Sequence, residues 1–568
     1  MQLQKTEELF VEKRYVIGVD FGSDSARALI MDALSGQELA ESTAGYPRWL
    51  AGKYQDAKKN MFRQHPLDYL EAMTACVRAA LDKAGDAVRE GIAALSVDTT
   101  GSTPCPVNRE GTPLALFPEF EDDPDAMFHL WKDHTAVSEA EEITAAFQKN
   151  ADGIDYTAFQ GNYASEWYWA KILHTIRGNA KVRASAWSWT EHSDWLPNLL
   201  VGDTRPERMY RCACAAGHKA YWHSAWGGLP SEACLAQVDP ELARVRGTYG
   251  ANCQPSTHCL GKITPAWAER LSLREGVLIG GSSFDAHAGA VGAGVSPSRM
   301  VVNLGTSAVN MFVVDADALK GRSIASVCGA AENSILPGFV GLESGQAAFG
   351  DVYAWFKRVL TEPFAKLLSN VQTTLDHRQQ AQLLQEIDAG LLPMLQAQAE
   401  KIPPEDVPIA LDWLNGRRYP VINEFVTSAL TGLGIGTSAP ALYRSFVQAT
   451  VFGQKRIVDA MEENGIHIPQ MIAVGGVAQK SSLLMQMLAD ALGKEVHVSQ
   501  SKQACARGAA MYAAVASGIY SDLLTAQERM CAGYQSTYVP DLAMTKRYAP
   551  LYARYLQLAE YVDKQVTP

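Results

Sequence analysis

At 568 residues the chain exceeds what one hydrophobic core supports, so two large domains are expected. Its formal net charge of -12 argues against nucleic acid as the main partner, because phosphate backbones need a basic face; a nucleotide needs only a few backbone amides and a metal. The ten cysteines are scattered, and Cys212 and Cys214 have no second pair at a metal-like spacing, which reads as free thiols in a reducing, cytoplasmic setting.

Residues 1–14 mix lysine, glutamate and arginine without a long apolar run, so neither a signal peptide nor a membrane anchor is expected, only a short extension. Residues 15–32 form two β-rich runs about a Gly22-Ser23-Asp24-Ser25 turn, the pattern of a hairpin. A helix is predicted over 66–84. Beyond it, 91–103 reads as a strand running into the loop Asp98-Thr-Thr-Gly101-Ser-Thr103, and 165–176, rich in Trp and Tyr, as a buried helix. Residues 277–294 read as a strand ending in small residues, after which Asp285 opens a helix of Ala, Gly and Val. Residues 300–315 echo the first hairpin, with Asn303-Leu-Gly305-Thr306 standing where Asp20-Phe-Gly22-Ser23 stands. Helices are predicted near 350–360, across 374–398 and over 439–463. A strand at 471–474, a Gly475-Gly476 turn, a helix over 479–492 and an amphipathic helix over 542–566 complete the chain. Strands alternating with helices, and one unit repeated half a chain apart, predict an α/β protein of two similar domains facing each other.

A tight turn of small residues exposes backbone N–H groups that can cradle a phosphate, and Asp20, just ahead of it, can hold Mg2+ directly or through water. Alone, these residues suit a plain hairpin with a solvated aspartate equally well; the second copy at Gly305-Thr306-Ser307 shifts the weight toward two turns gripping a triphosphate. No Gly-x-x-x-x-Gly-Lys-Ser/Thr pattern occurs, so a P-loop is not expected. Asp285 either accepts a hydroxyl proton in phosphoryl transfer, its charge favoured by the helix N-terminus, or merely caps that helix. His287 reads as a packing or hydrogen-bonding histidine rather than a catalytic one. Gly475, Gly476 and Gln479 form either a flat turn for a nucleoside ring or an ordinary strand-to-helix turn. Taken singly, Lys219 is a solvated lysine, Glu343 a capping glutamate and 98–103 a polar loop.

Together and in this order, the segments from Tyr15 to about Ala516 resemble the FGGY carbohydrate kinases, and 434–456 is similar to that family's second signature. The resemblance implies two actin-like (ribonuclease H-like) ATPase domains with an interdomain cleft: 14–290, 291–530, and a helical tail at 531–568. It implies ATP and Mg2+ as cofactors. Asp20, Gly22, Ser23, Asp24 and Ser25 would form the first phosphate hairpin, with Asp20 on the metal. Gly305, Thr306 and Ser307 would form the second, and Gly475, Gly476 and Gln479 the adenosine segment. Tyr46-Pro-Arg-Trp49, Leu130-Trp131 through Ala136, Ala216-Gly-His-Lys219, Phe284-Asp285 with His287, and Gly341-Leu-Glu343 through Ala347 are most similar to the family's ribulose-phosphorylating branch. They imply transfer to the 5-hydroxyl of L-ribulose, with Asp285 as general base, Lys219 and Glu343 on the ketose oxygens, and the backbone near Gly101 lining the pocket. The alternatives are a sister kinase for D-ribulose, xylulose or a polyol, a silent sugar-binding regulator, and an actin-like ATPase that ignores sugar. A homodimer is the base-rate expectation for assembly.

Overall fold

The computed structural model describes residues 14–319, 329–370, 375–418, 422–423 and 425–566; the extension expected at 1–13 and the helix start expected at 374 lie outside them. The first sheet is built from β1 (Tyr15–Phe21), β2 (Ser25–Asp32), β3 (Glu38–Gly45), β4 (Ile92–Thr99), β5 (Cys259–Lys262) and β6 (Leu278–Phe284), in the order β5-β6-β4-β1-β2-β3. Strand β1 is apolar almost throughout because both faces are covered. It pairs antiparallel with β2 and parallel with β4, which in turn runs parallel to β6. Asp20, Asp98 and Phe284-Asp285 therefore arrive at the same carboxyl edge, where open α/β sheets place their ligands. Helix α1 (Pro66–Ala84) buries Tyr69, Met73, Val77 and Leu81 against one face. An aromatic-rich layer packs beyond the sheet and carries α2 (Tyr168–Gly178) and α3 (Ala213–Ala220).

After α4 (Asp285–Ala293), the second sheet repeats the plan with β7 (Arg299–Leu304), β8 (Ala308–Val314), β9 (Gly329–Glu332) and β10 (Val340–Gln346). Helices α5 (Gly350–Asn370), α6 (His377–Ala399) and α7 (Ala439–Glu463) follow, then β11 (Gln470–Val474), α8 (Gly476–Lys480), α9 (Ser482–Leu492) and β12 (Glu495–Ser499). Helix α10 (Ala504–Ala516), β13 (Tyr534–Tyr538) and α11 (Leu542–Val566) end the chain, and the sheet order is β9-β10-β8-β7-β11-β12-β13. Strands β7, β8 and β10 form an antiparallel meander with β11 and β12 parallel beside β7, matching β1, β2 and β3 with β4 and β6. The duplicated design expected from the two hairpins is thus present at the level of whole sheets.

Three features differ from expectation. The segment expected as one helix over 479–492 breaks at Ser481, whose hydroxyl accepts from Leu484 N at 3.3 Å and caps α9. The 531–568 region is not a separate tail: β13 completes the second sheet, and Tyr548, Leu551 and Tyr555 of α11 enter its core. Helix α10, though encoded in the second half, lies on the first sheet and crosses α4 with their backbones in contact. A Cβ on Gly508 would fall 1.9 Å from the Ala288 carbonyl oxygen, so only glycine permits that approach. Among the described residues no helix is long and apolar enough to cross a membrane.

Candidate active site

The β1–β2 turn is held from outside. Gly22 N donates to Ser25 O at 3.0 Å, Tyr46 Oη to Gly22 O at 3.1 Å and Gln64 Nε2 to Ser23 O at 2.6 Å. Trp131 donates its indole N–H to Ser23 Oγ at 3.0 Å, so the 130–136 segment braces the β1–β2 turn. Asp24 is exposed at the tip, while Ser25 is buried at the start of β2. The β7–β8 turn is fixed by the start of α5: Thr306 O accepts from Phe349 N at 2.8 Å, and Gly305 O accepts from Gly350 N at 3.0 Å.

Gly475 follows β11 with φ +97, and a Cβ there would lie 2.6 Å from the Leu304 carbonyl oxygen; glycine alone allows this turn to close against β7. Two spaces open from it. A groove of about 730 Å³ is lined by Gly305, Tyr353, Leu392, Gly476 and Lys480, a size suited to a nucleoside. A smaller cleft of about 200 Å³ runs past Gly475, Gly476 and Gln479 to Ala286 at the head of α4. The β1–β2 turn lines neither of these two spaces.

At the carboxyl edge of the first sheet, Asp20 pairs with Arg27 at 2.9 Å, and Asp98 is fully buried with its carboxyl against that of Asp20. Burial raises both, Asp98 the more because it also faces the Asp20 charge. Asp285 is not the cap of α4; Phe284 is, and Asp285 stands at the first helical position with Oδ1 accepting from Ala286 N at 2.7 Å. The helix terminus was expected to keep this carboxyl ionised. Instead burial first, and then the nearby Asp20 charge, push it up to about 7.

On the sugar side, Gly101 sits against the Phe284 ring, and a Cβ there would be 1.8 Å from Phe284 Cε1. Glu191 accepts from Thr103 N at 2.6 Å and from the Ser102 hydroxyl, while Lys171 Nζ donates to Ser102 O at 2.8 Å and Leu130 O at 2.9 Å. This buried pair shapes the 98–103 loop, and the sequence reading passed over it. A charged residue inside the apolar runs Tyr168-Trp-Ala-Lys171 and Ser188-Trp-Thr-Glu191 was the available signal.

Lys219 and Glu343, solvated or capping when taken singly, meet in the fold: Lys219 Nζ is 3.6 Å from Glu343 Oε2 and lies over the Trp167 and Phe284 rings. Burial would raise the Glu343 carboxyl, but Lys219 and the neighbouring His287 and His218 outweigh that and hold it well below the usual range. Lys219, Glu343, Asp285 and Gly101 therefore cluster around Phe284, between the carboxylate edge and the aromatic layer. From sequence His287 read as a packing or hydrogen-bonding histidine, and His218 was given no role of its own.

A family model described as the C-terminal domain of the FGGY family of carbohydrate kinases matches residues 300–517. A Vibrio parahaemolyticus protein named ribulokinase is 41% identical over 97% of this chain and 96% of its own length. A Shouchella clausii protein of the same name is 32% identical with the same coverage. Among solved structures, a xylulose kinase from Rhodospirillum rubrum superposes with TM-score 0.78 at 19% identity, covering 97% of this chain and 100% of that one. A Plasmodium falciparum glycerol kinase with ADP reaches 0.72 at 13% identity over 96% of this chain and 97% of that one. The two-sheet architecture and full-length identity above 30% lead to one assignment: the chain belongs to the FGGY family of carbohydrate kinases.

Proposed function

We propose that the protein is a ribulokinase, transferring the γ-phosphoryl group of ATP to the 5-hydroxyl of L-ribulose. The observation that carries the reading is the position of Asp285, whose carboxyl feels Asp20 on the phosphate side and Glu343 on the sugar side. A base between a phosphate edge and a sugar pocket is what phosphoryl transfer to a hydroxyl requires. The full-length relatives named ribulokinase support the choice of ketose over xylulose or a polyol.

In the reaction, Lys219 and Glu343 orient the ketose through its oxygens, and the backbone beside Gly101 bounds the pocket. The 5-hydroxyl oxygen forms a bond to the γ-phosphorus as the bond from that phosphorus to the ADP oxygen breaks. The hydroxyl proton passes to the Asp285 carboxylate. The turns at Gly22–Ser25 and Gly305–Ser307 offer amides to the phosphates, and the Gly475-Gly476 turn borders the adenosine groove. Asp98, buried in register with Asp20 and met by no amide, hydroxyl or cationic donor among the described residues, makes this edge suited to a hard cation, and these two carboxylates would hold Mg2+. When bound, the ion would supply neutralisation of the charge on the phosphates.

Coupled ADP-release kinetics across ketopentoses and polyols test the proposal. The highest kcat/KM is expected with L-ribulose; a higher value with xylulose or glycerol, or ATP hydrolysis indifferent to sugar, overturns it.

A further inference from the structure

Glu343 belongs to β10 of the second sheet, yet its carboxylate reaches residues carried by the first half of the chain. Three groups face one oxygen, Oε2: His287 Nε2 at 3.4 Å, Lys219 Nζ at 3.6 Å and His218 Nδ1 at 3.9 Å. We infer that His287, backed by Cys214, is a positioning residue that holds the Glu343 carboxylate at the sugar pocket and so joins the two domains through the substrate site. The inference rests on the sugar-kinase reading above.

The chemistry of the donors assigns the proton. A carboxylate only accepts, so the His287 nitrogen facing it must carry hydrogen. In a neutral ring the other nitrogen, Nδ1, is then bare and accepts. Cys214 Sγ lies 2.7 Å from that Nδ1, with both residues about 1% exposed. Burial holds the thiol proton on sulfur, where Cys212 and His287 Nδ1 both face it; with Nε2–H committed to Glu343, the bare Nδ1 at 2.7 Å accepts the S–H, which fixes this tautomer. His218 does not share this role. Its Nε2 is engaged by Ser334 Oγ at 3.1 Å, and its Nδ1 is beyond hydrogen-bond range of the carboxylate. Lys219 and His287 thus share Oε2, the ammonium pairing with it at 3.6 Å, and ketose oxygens can bridge the ammonium and the carboxylate there.

Kinetics of His287→Leu, His287→Gln, Cys214→Ala and Cys214→Ser, each with both KM values and a thermal midpoint, test this. Loss of a donor to a charged group should raise the ketose KM roughly tenfold to a hundredfold in His287→Leu and leave the ATP KM within about twofold. Glutamine presents an amide N–H near the Nε2 position and should recover most of the loss; serine should substitute for Cys214 better than alanine. An unchanged ketose KM in a folded His287→Leu protein, both KM values rising together, or no rescue by glutamine would overturn the assignment. Should His287→Leu fail to fold, or should the wild type turn over no ketopentose, the tautomer decides independently. In 15N-histidine-labelled wild type without substrate, His287 should show hydrogen on Nε2 and a bare Nδ1; hydrogen on Nδ1 refutes the proposal.

Discussion

Asp285→Asn separates the cost of the carboxylate from its use. Asparagine keeps the size of the side chain and an oxygen to accept from Ala286 N, now at 2.7 Å, but cannot take a proton. As a lost general base it should lower kcat about 10²- to 10⁴-fold while ketose binding survives. In the folded protein the Asp285 carboxyl titrates near 7, against an ordinary value of 3.8. The folded state therefore retains a proton that the unfolded chain has already released across that interval, and stability falls as pH rises through it. Above pH 7 the cost is on the order of 4 kcal/mol as a ceiling, reduced by the solvent that reaches the partly exposed residue. Removing the charge should thus raise the thermal midpoint of the ligand-free, metal-free protein at pH 8, with the gain shrinking as pH falls from 7 toward 4. The wild-type kcat/KM should lose activity as pH drops through about 7, because the base must be deprotonated. Differential scanning calorimetry in EDTA with single-turnover kinetics measures both halves. An unchanged kcat, or a midpoint shift of the same size at pH 5 and pH 8, would refute the reasoning.

Lys219→Ala should weaken ketose binding by roughly tenfold or more and leave ATP binding intact, since it removes a charge from the Glu343 side of the site only; titration calorimetry with each ligand separates the two. Gly475→Ala forces a Cβ to 2.6 Å from Leu304 O at a positive φ, so the opposite pattern is expected, nucleotide affinity falling about tenfold with ketose affinity retained, read by fluorescence titration of ADP.

Much of the framework was legible because it is local. The β1–β2 and β7–β8 hairpins announce themselves by small residues between β-rich runs, and their resemblance anticipates two sheets of one design. Asp285 was readable from a strand ending in small residues before a helix. The meeting of Lys219 with Glu343 was not readable from either segment, since it depends on α3 packing against the second sheet; only the family resemblance supplied it. Glu191 and Lys171 were missed because their partners are carbonyls and amides of a distant loop, which leave no periodic trace. The pKa of Asp285 depends on burial in the assembled fold, a property of three-dimensional packing that outweighs the local helix effect used to anticipate it.

The placement of α10 also governs the order in which the molecule can be completed. Val16, Leu29, Met31 and Ala94 of the first sheet are buried against Ala506, Ala509, Ala510 and Met511, so the earliest-made strands wait for almost the last helix. During synthesis the first domain therefore emerges with part of one apolar face uncovered until α10 is made. Such long sequence separation slows folding and leaves that face open to chaperones in the interval. The seam that joins the two halves of this kinase is therefore also the step that finishes each of them.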